Sequence, residues 1–166
     1  MTYYSVANLI QKPDPQRLTL KQQLHVLCMT HIRRRITGAE EAIHAAQLSA
    51  NEETKSSAGD KYETSRAMAQ LEIEKNSTQL SEAKKLLNAL EQINPEKLTS
   101  SIQSGSLVKT NAGWFYVAVS AGQLNLLDKT YFAISPASPV GQKLMGLRPK
   151  DSYVFNGKKI IIEEVN

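Results

Sequence analysis

The chain has 166 residues, with 20 Lys and Arg against 16 Asp and Glu for a formal net charge of +4, and 41% of its residues are apolar. That is enough for one or two small domains with an ordinary core, and it excludes wholesale disorder. The mild positive charge permits a polyanionic partner without requiring one, and no uncharged apolar run of about 18 residues exists to span a bilayer, so no membrane partner is expected.

Met1 to Pro15, "MTYYSVANLIQKPDP", lacks the charged-then-apolar pattern of a secretory leader. Residues 1–17 are read as an N-terminal extension and the protein as cytoplasmic. From Leu18 the apolar residues take helical spacing: Ile32, Ile36, Ala39, Ile43, Ala46 and Ala50 alternate steps of four and three, the seam of a helix packed lengthwise on another. Tyr62, Ala69, Ile73, Leu80, Ala83, Leu87 and Leu90 keep the same rhythm once Arg66 and Asn76 are counted as polar members. Two matching seams predict an antiparallel coiled-coil hairpin over 18–94 with its tip near 51–61, Ala50 facing Tyr62 and Ile43 facing Ala69. At 1.5 Å per residue such arms should project roughly 45–50 Å. Asn76 on the seam is expected to fix the register, and Gly38 to weaken the first helix by about 1 kcal/mol while permitting close approach or a bend. Cys28 has no second cysteine to pair with and reads as a buried, inert thiol in a monomeric protein.

"NPEK", Asn94 to Lys97, ends the helical half, and 95–105 reads as a linker. Over 106–166 the period becomes two. "SLVKT", "GWFYVAVS", "TYFAIS", "SYVF" and "KKIIIEEV" predict short strands, and Asn156 to Lys158, "NGK", predicts a tight hairpin turn. "SPVGQKLMG" predicts one short helix, capped by Ser138, with Pro139 in its first turn and Gly146 at its end. The fold class is therefore α+β: a helical hairpin followed by a small sheet around one helix, with Trp114, Phe115, Val117, Leu144 and Ile161 in the core. Alternation along "WFY" buries at least one of Trp114, Phe115 and Tyr116, which favours strand residues over a base-stacking platform.

This order of parts, together with "SPASPVGQKLMGLRPKDSYVF", resembles the Gre family of bacterial transcript-cleavage and elongation factors. The likeness runs over about residues 18–165 and is carried by Ser138, Pro139, Val140 and Gly141, then Leu144, Met145 and Gly146, with Asp151 retained and Lys150 where the family has glycine. It implies an FKBP-like β domain resting on RNA polymerase, with the Ser138, Pro139 and Gly141 region as the contact, and a hairpin entering the secondary channel. It also implies an accessory factor with no intrinsic activity and no cofactor of its own. Family tips carry carboxylates that help hold a second Mg2+ in the polymerase active centre, where two ions stabilise the attacking and leaving oxygens. On this chain the tip acids are Glu52, Glu53 and Asp60, with Glu53 and Asp60 as the ligand pair for the shared Mg2+. The two acidic positions counted back from Tyr62 hold Lys55 and Ala58 instead, neither of which binds a cation. Asp60 and Glu63 also suit the first turn of a helix, where acids offset the positive end of the dipole. Arg33, Arg34 and Arg35 face outward from the seam, toward nascent RNA or toward solvent. The alternatives are a secondary-channel regulator that does not cleave, or a protein-interaction module unrelated to polymerase. A prolyl isomerase needs an aromatic-lined cleft, and three Phe and one Trp supply little for one.

Overall fold

The structure, a computed structural model, describes residues 19–53 and 59–166, with the backbone alone described at 52, 53 and 60–62. Two long helices, α1 (Leu20–Glu53) and α2 (Gly59–Glu91), are followed by β1 (Leu107–Thr110), β2 (Gly113–Val117), β3 (Gly122–Leu126) and β4 (Lys129–Ile134). A short helix α3 (Pro139–Leu144) and the strands β5 (Ser152–Phe155) and β6 (Lys158–Val165) complete the fold, which is α+β as expected. The strands form one mixed sheet in the order β3-β4-β2-β1-β6-β5, in which β2 and β4 run parallel and the other neighbours antiparallel. A register shift between Lys109 and Thr110 marks a bulge in the β1–β6 pair.

The sheet is covered on both faces. One face, through Leu107, Tyr116, Leu124, Tyr131 and Ala133, packs against Leu24, Cys28 and Ile32 of α1 and Ala83 and Leu90 of α2. The other, through Val108, Val117 and Ile162, packs against Leu144 of α3 and against Ile102. Alternation puts Tyr116 on the first face and Val117 on the second, both with no exposed surface. Leu24, Ile32 and Leu90 are also fully buried, each stabilising the joint by about 1.5–3 kcal/mol through apolar area removed from water.

Ile36, Ala39, Ile43, Ala46 and Ala50 are the less exposed positions along distal α1, and Ala69, Ile73, Asn76, Leu80 and Ala83 along α2, so both seams are present. Several details differ from expectation. The 34 residues of α1 make a helix about 51 Å long, but its contribution to the shared core runs from Leu20 to Ile36. About 25 Å of α1 lies beyond Ile36, not 45–50 Å. The reason is the four-residue spacing of Leu24, Cys28 and Ile32, which turns the basal seam onto the sheet. Arg66 is exposed, and Ser65 is the half-buried residue at that level. Gly38 is exposed with open space around it, so it accommodates no close approach. The facing of Ile43 with Ala69 also fails. That register would level Glu40 with Glu72, roughly 18 Å along the axis from Lys84, whereas Lys84 Nζ lies 3.2 Å from Glu40 Oε1. Distal α1 therefore faces residues further along α2.

In the sheet, β3 was not expected, although "GQLNL" alternates. Ile161 is 41% exposed, and the core positions are Ile160 and Ile162. In a run of three isoleucines either phase is apolar, and the pairing of Ile161 with Ser152 decides which way it points. The "NGK" turn forms as expected, with Asn156 and Gly157 both left-handed at φ 51° and 74°.

Candidate functional site on the hairpin and at its base

At the tip, Glu52 and Glu53 are the last residues of α1 and Asp60 is the second of α2. Their side chains, and Lys55 and Ala58 altogether, lie outside the described residues, so the meeting of Glu53 with Asp60 does too. Glu63, one turn into α2, is exposed. Among the described residues there is no cluster of three or more His, Cys, Asp or Glu with metal-site proximity.

Along the shaft, Arg33, Arg34 and Arg35 are all exposed, because the seam residues Ile32 and Ile36 on either side fix them on the outer face. The Glu40–Lys84 pair bridges the two helices a turn or so nearer the tip, and Glu72 pairs with Lys75 at 3.7 Å on α2. Exposed pairs of this kind contribute little to stability, about 0–1 kcal/mol. Asn76 is buried at 7% exposure, and its Nδ2 donates to the Glu72 carbonyl at 2.8 Å and to Glu72 Oε1 at 2.7 Å. Both partners belong to its own helix, so these bonds do not set the register between helices.

The base carries polar contacts that the sequence reading missed. Thr19 and Gln22 form a reciprocal cap at the start of α1, with Thr19 N–H donating to Gln22 Oε1 at 2.7 Å and Gln22 N–H to Thr19 Oγ1 at 3.3 Å. Lys21 is buried and its ammonium donates to the Lys97 carbonyl at 2.5 Å, tying α1 to the chain that follows α2. Burial holds its pKa below the ordinary lysine value. His25 Nδ1 lies 2.9 Å from the hydroxyl of Tyr116, joining α1 directly to β2, and burial lowers the His25 pKa. The Cys28 thiol, fully buried in the same core, is pushed up to about 12 by desolvation. The phenol of Tyr116 is raised as well, chiefly by burial and then by the neighbouring Cys28. Both groups are therefore neutral near pH 7, in keeping with an inert thiol. Helical spacing of Leu24, Cys28 and Ile32 signalled that this face is buried; nothing in the sequence paired His25 with Tyr116.

The motif residues near α3 have local roles. Ser138 caps α3, its Oγ accepting from Gly141 N–H at 3.0 Å and donating to the Ser135 carbonyl at 2.7 Å. Pro139 opens the helix, where a missing N–H costs nothing. Gly141 is buried against the backbone of Ser135 and Pro136, and a methyl group there would overlap the Ser135 carbonyl oxygen. Together they fold the β4–α3 corner, whatever else they contact.

No family model and no curated protein sequence matches the chain. Among solved structures it is similar to one described as "Structure of the transcription factor Gfh1", at 20% identity over 83% of this chain and 92% of that one, with a TM-score of 0.34. At that identity and score no functional argument rests on the likeness.

Proposed function

We propose that the protein is a transcription elongation factor of Gre type, which docks on RNA polymerase through its sheet domain and inserts the hairpin tip into the secondary channel. The observation that carries this reading is mechanical. The basal turns of α1 and α2 share a core with the sheet, while the distal turns contribute nothing to it among the described residues. A stiff arm with a polar end, seated on a compact base, suits delivery of a side chain to a buried site. Arg33, Arg34 and Arg35, exposed on the shaft, would attract the phosphates of nascent RNA.

Glu52, Glu53 and Asp60 are the tip acids in this proposal. Glu53 and Asp60 would share a Mg2+ with the polymerase, a hard cation suited to carboxylate oxygen. A second reading, occupation of the channel without cleavage, is favoured by Lys55 and Ala58 standing at the positions where the resembled family carries acids. The test is a stalled, backtracked elongation complex from the same organism, given the protein and magnesium. Shortening of the transcript, reduced by Glu52→Ala, Glu53→Ala or Asp60→Ala, supports the cleaving form. Binding without shortening leaves the non-cleaving form, and absence of polymerase from a pull-down refutes both.

A further inference from the structure

The sheet has two edges. The β5 edge, "SYVF", is four residues long, with Tyr153 packed on the core beside Leu144 of α3. The β3 edge, "GQLNL", contains neither charge nor proline, and no described backbone group pairs with its outer side. Leu126 and Lys129 flank a two-residue turn and so form a hydrogen-bonded pair; by alternation Leu124 with Tyr131 and Gly122 with Ala133 are hydrogen-bonded too. The N–H and C=O groups of Gln123 and Asn125 therefore point away from β4.

The turn beside this edge is anomalous in the same direction. Leu127 and Asp128 are both left-handed, at φ 51° and 57°, and Leu127 is 73% exposed. Leucine is disfavoured in that conformation and a large apolar side chain is disfavoured in water. The same sheet solves an equivalent turn with Asn156 and Gly157, the residues such a turn prefers. Folding alone thus gives no reason for Leu127, and a residue strained and exposed at once points to a contact made outside the chain.

We propose that β3 and Leu127 are a docking edge for an extended segment of a protein partner, which adds to the sheet as a seventh strand. The backbone groups of Gln123 and Asn125 alternate at strand spacing, so an extended backbone is what satisfies them, and an apolar side chain of that segment packs on Leu127. An uncharged edge offers nothing to a phosphate or a lipid headgroup. The proposal rests on the reading that the partner is RNA polymerase, and adds a contact distinct from the α3 corner.

The experiment is amide hydrogen exchange on the full chain, alone and with RNA polymerase from the same organism, alongside polymerase pull-down. Binding should slow exchange at Gln123 and Asn125 by roughly tenfold or more. Gln123→Pro, which removes an outward N–H and no ladder bond, and Leu127→Asn, which suits the turn, should each weaken capture by roughly tenfold. Leu127→Asn relieves the strained turn, so its folding is not in question. Capture of polymerase with unchanged β3 exchange and full binding by both variants overturns the docking edge but leaves the polymerase reading standing. Failure of the wild-type chain to bind polymerase overturns that reading, and this inference with it. Protection of β3 that grows with protein concentration in the absence of polymerase assigns the edge to a second copy, which overturns the proposed partner.

Discussion

Replacing Asn76 by leucine separates two accounts of the hairpin. If a seam asparagine holds the register by bonding across the helices, Asn76→Leu should permit slipped or oligomeric states. The contacts argue otherwise. Its amide donates to the Glu72 carbonyl and to the Glu72 carboxylate, both on α2. After substitution the Glu72 carbonyl stands in the ordinary helical ladder, and the carboxylate, on a side chain half exposed, returns to water. No buried group is orphaned, so the change lacks the usual penalty for breaking a buried polar contact. The gain is burial of an aliphatic side chain at a site 7% exposed, worth about 1.5–3 kcal/mol when complete. Fitting the extra volume beside the seam costs part of it, leaving about 1–2 kcal/mol of net stabilisation. For 166 residues that raises Tm by about 2–8 °C at roughly 2–4 °C per kcal/mol. Thermal and urea unfolding followed by circular dichroism, with sedimentation velocity for mass, reads the result. A variant less stable than wild type by more than about 0.5 kcal/mol, or a change of oligomeric state, refutes the reasoning and restores a role for Asn76 between the helices.

Gly38→Ala should stabilise the protein by up to about 1 kcal/mol in the same unfolding assay, because Gly38 is exposed on α1 with open space where the methyl group would go. Gly141→Ala should do the reverse, losing several kcal/mol or failing to fold, since its methyl group overlaps backbone that cannot move without opening the α3 corner. His25 is held below its ordinary value of 6.5 by burial. The unfolded chain therefore binds the extra proton first, the stability from this group is fully present above pH 6.5, and it falls as pH drops through the native value. Urea midpoints measured between pH 5 and 8 should show that slope in wild type and less of it in His25→Gln. Cys28, buried with its thiol at about 12, should react with a thiol reagent at the rate of global unfolding.

The parts of the fold set by local periodicity were legible in the sequence. Ile36, Ala39, Ile43 and Ala46 announce a seam because helical spacing repeats over many turns, and Asn156-Gly157 announces its turn because few residues tolerate that backbone. Where one period fits two answers, the chain itself is silent. Ile160, Ile161 and Ile162 are equally apolar, and only pairing with β5 puts the middle one outside. The register of α1 on α2 is similarly under-determined, because small residues such as Ala42, Ala46 and Ala69 pack against many partners; the Glu40–Lys84 pair reports it only in three dimensions. The base was the larger omission. His25 and Tyr116 are 91 positions apart, and no local pattern relates a helical histidine to a strand tyrosine. Of the tip acids, position in the chain was readable and mutual geometry was not, since carboxylates on two helix ends are brought together or kept apart by the connection between them.

That omission bears on the proposed function more than any tip residue does. A hairpin joined to its base by a slack linker would hold its end anywhere within a wide cone, and a ligand supplied from that end would be present at low effective concentration. Here both arms enter the sheet core. Leu24, Cys28 and Ile32 seat α1, Ala83 and Leu90 seat α2, and Lys21 and His25 add a polar contact on either side. An angular error of about 10° at the joint moves a point 25 Å away by about 4 Å, more than a metal ligand tolerates, so the proposed role needs the joint held well inside that angle. It follows that Tyr116→Phe, which keeps the ring and removes the His25 contact, should broaden the distribution of spin-label distances between distal α1 and β6 while costing about 1 kcal/mol of stability and leaving the chain folded. Unchanged distances would mean that apolar packing alone aims the hairpin, and that the His25–Tyr116 contact is dispensable to whatever the tip does.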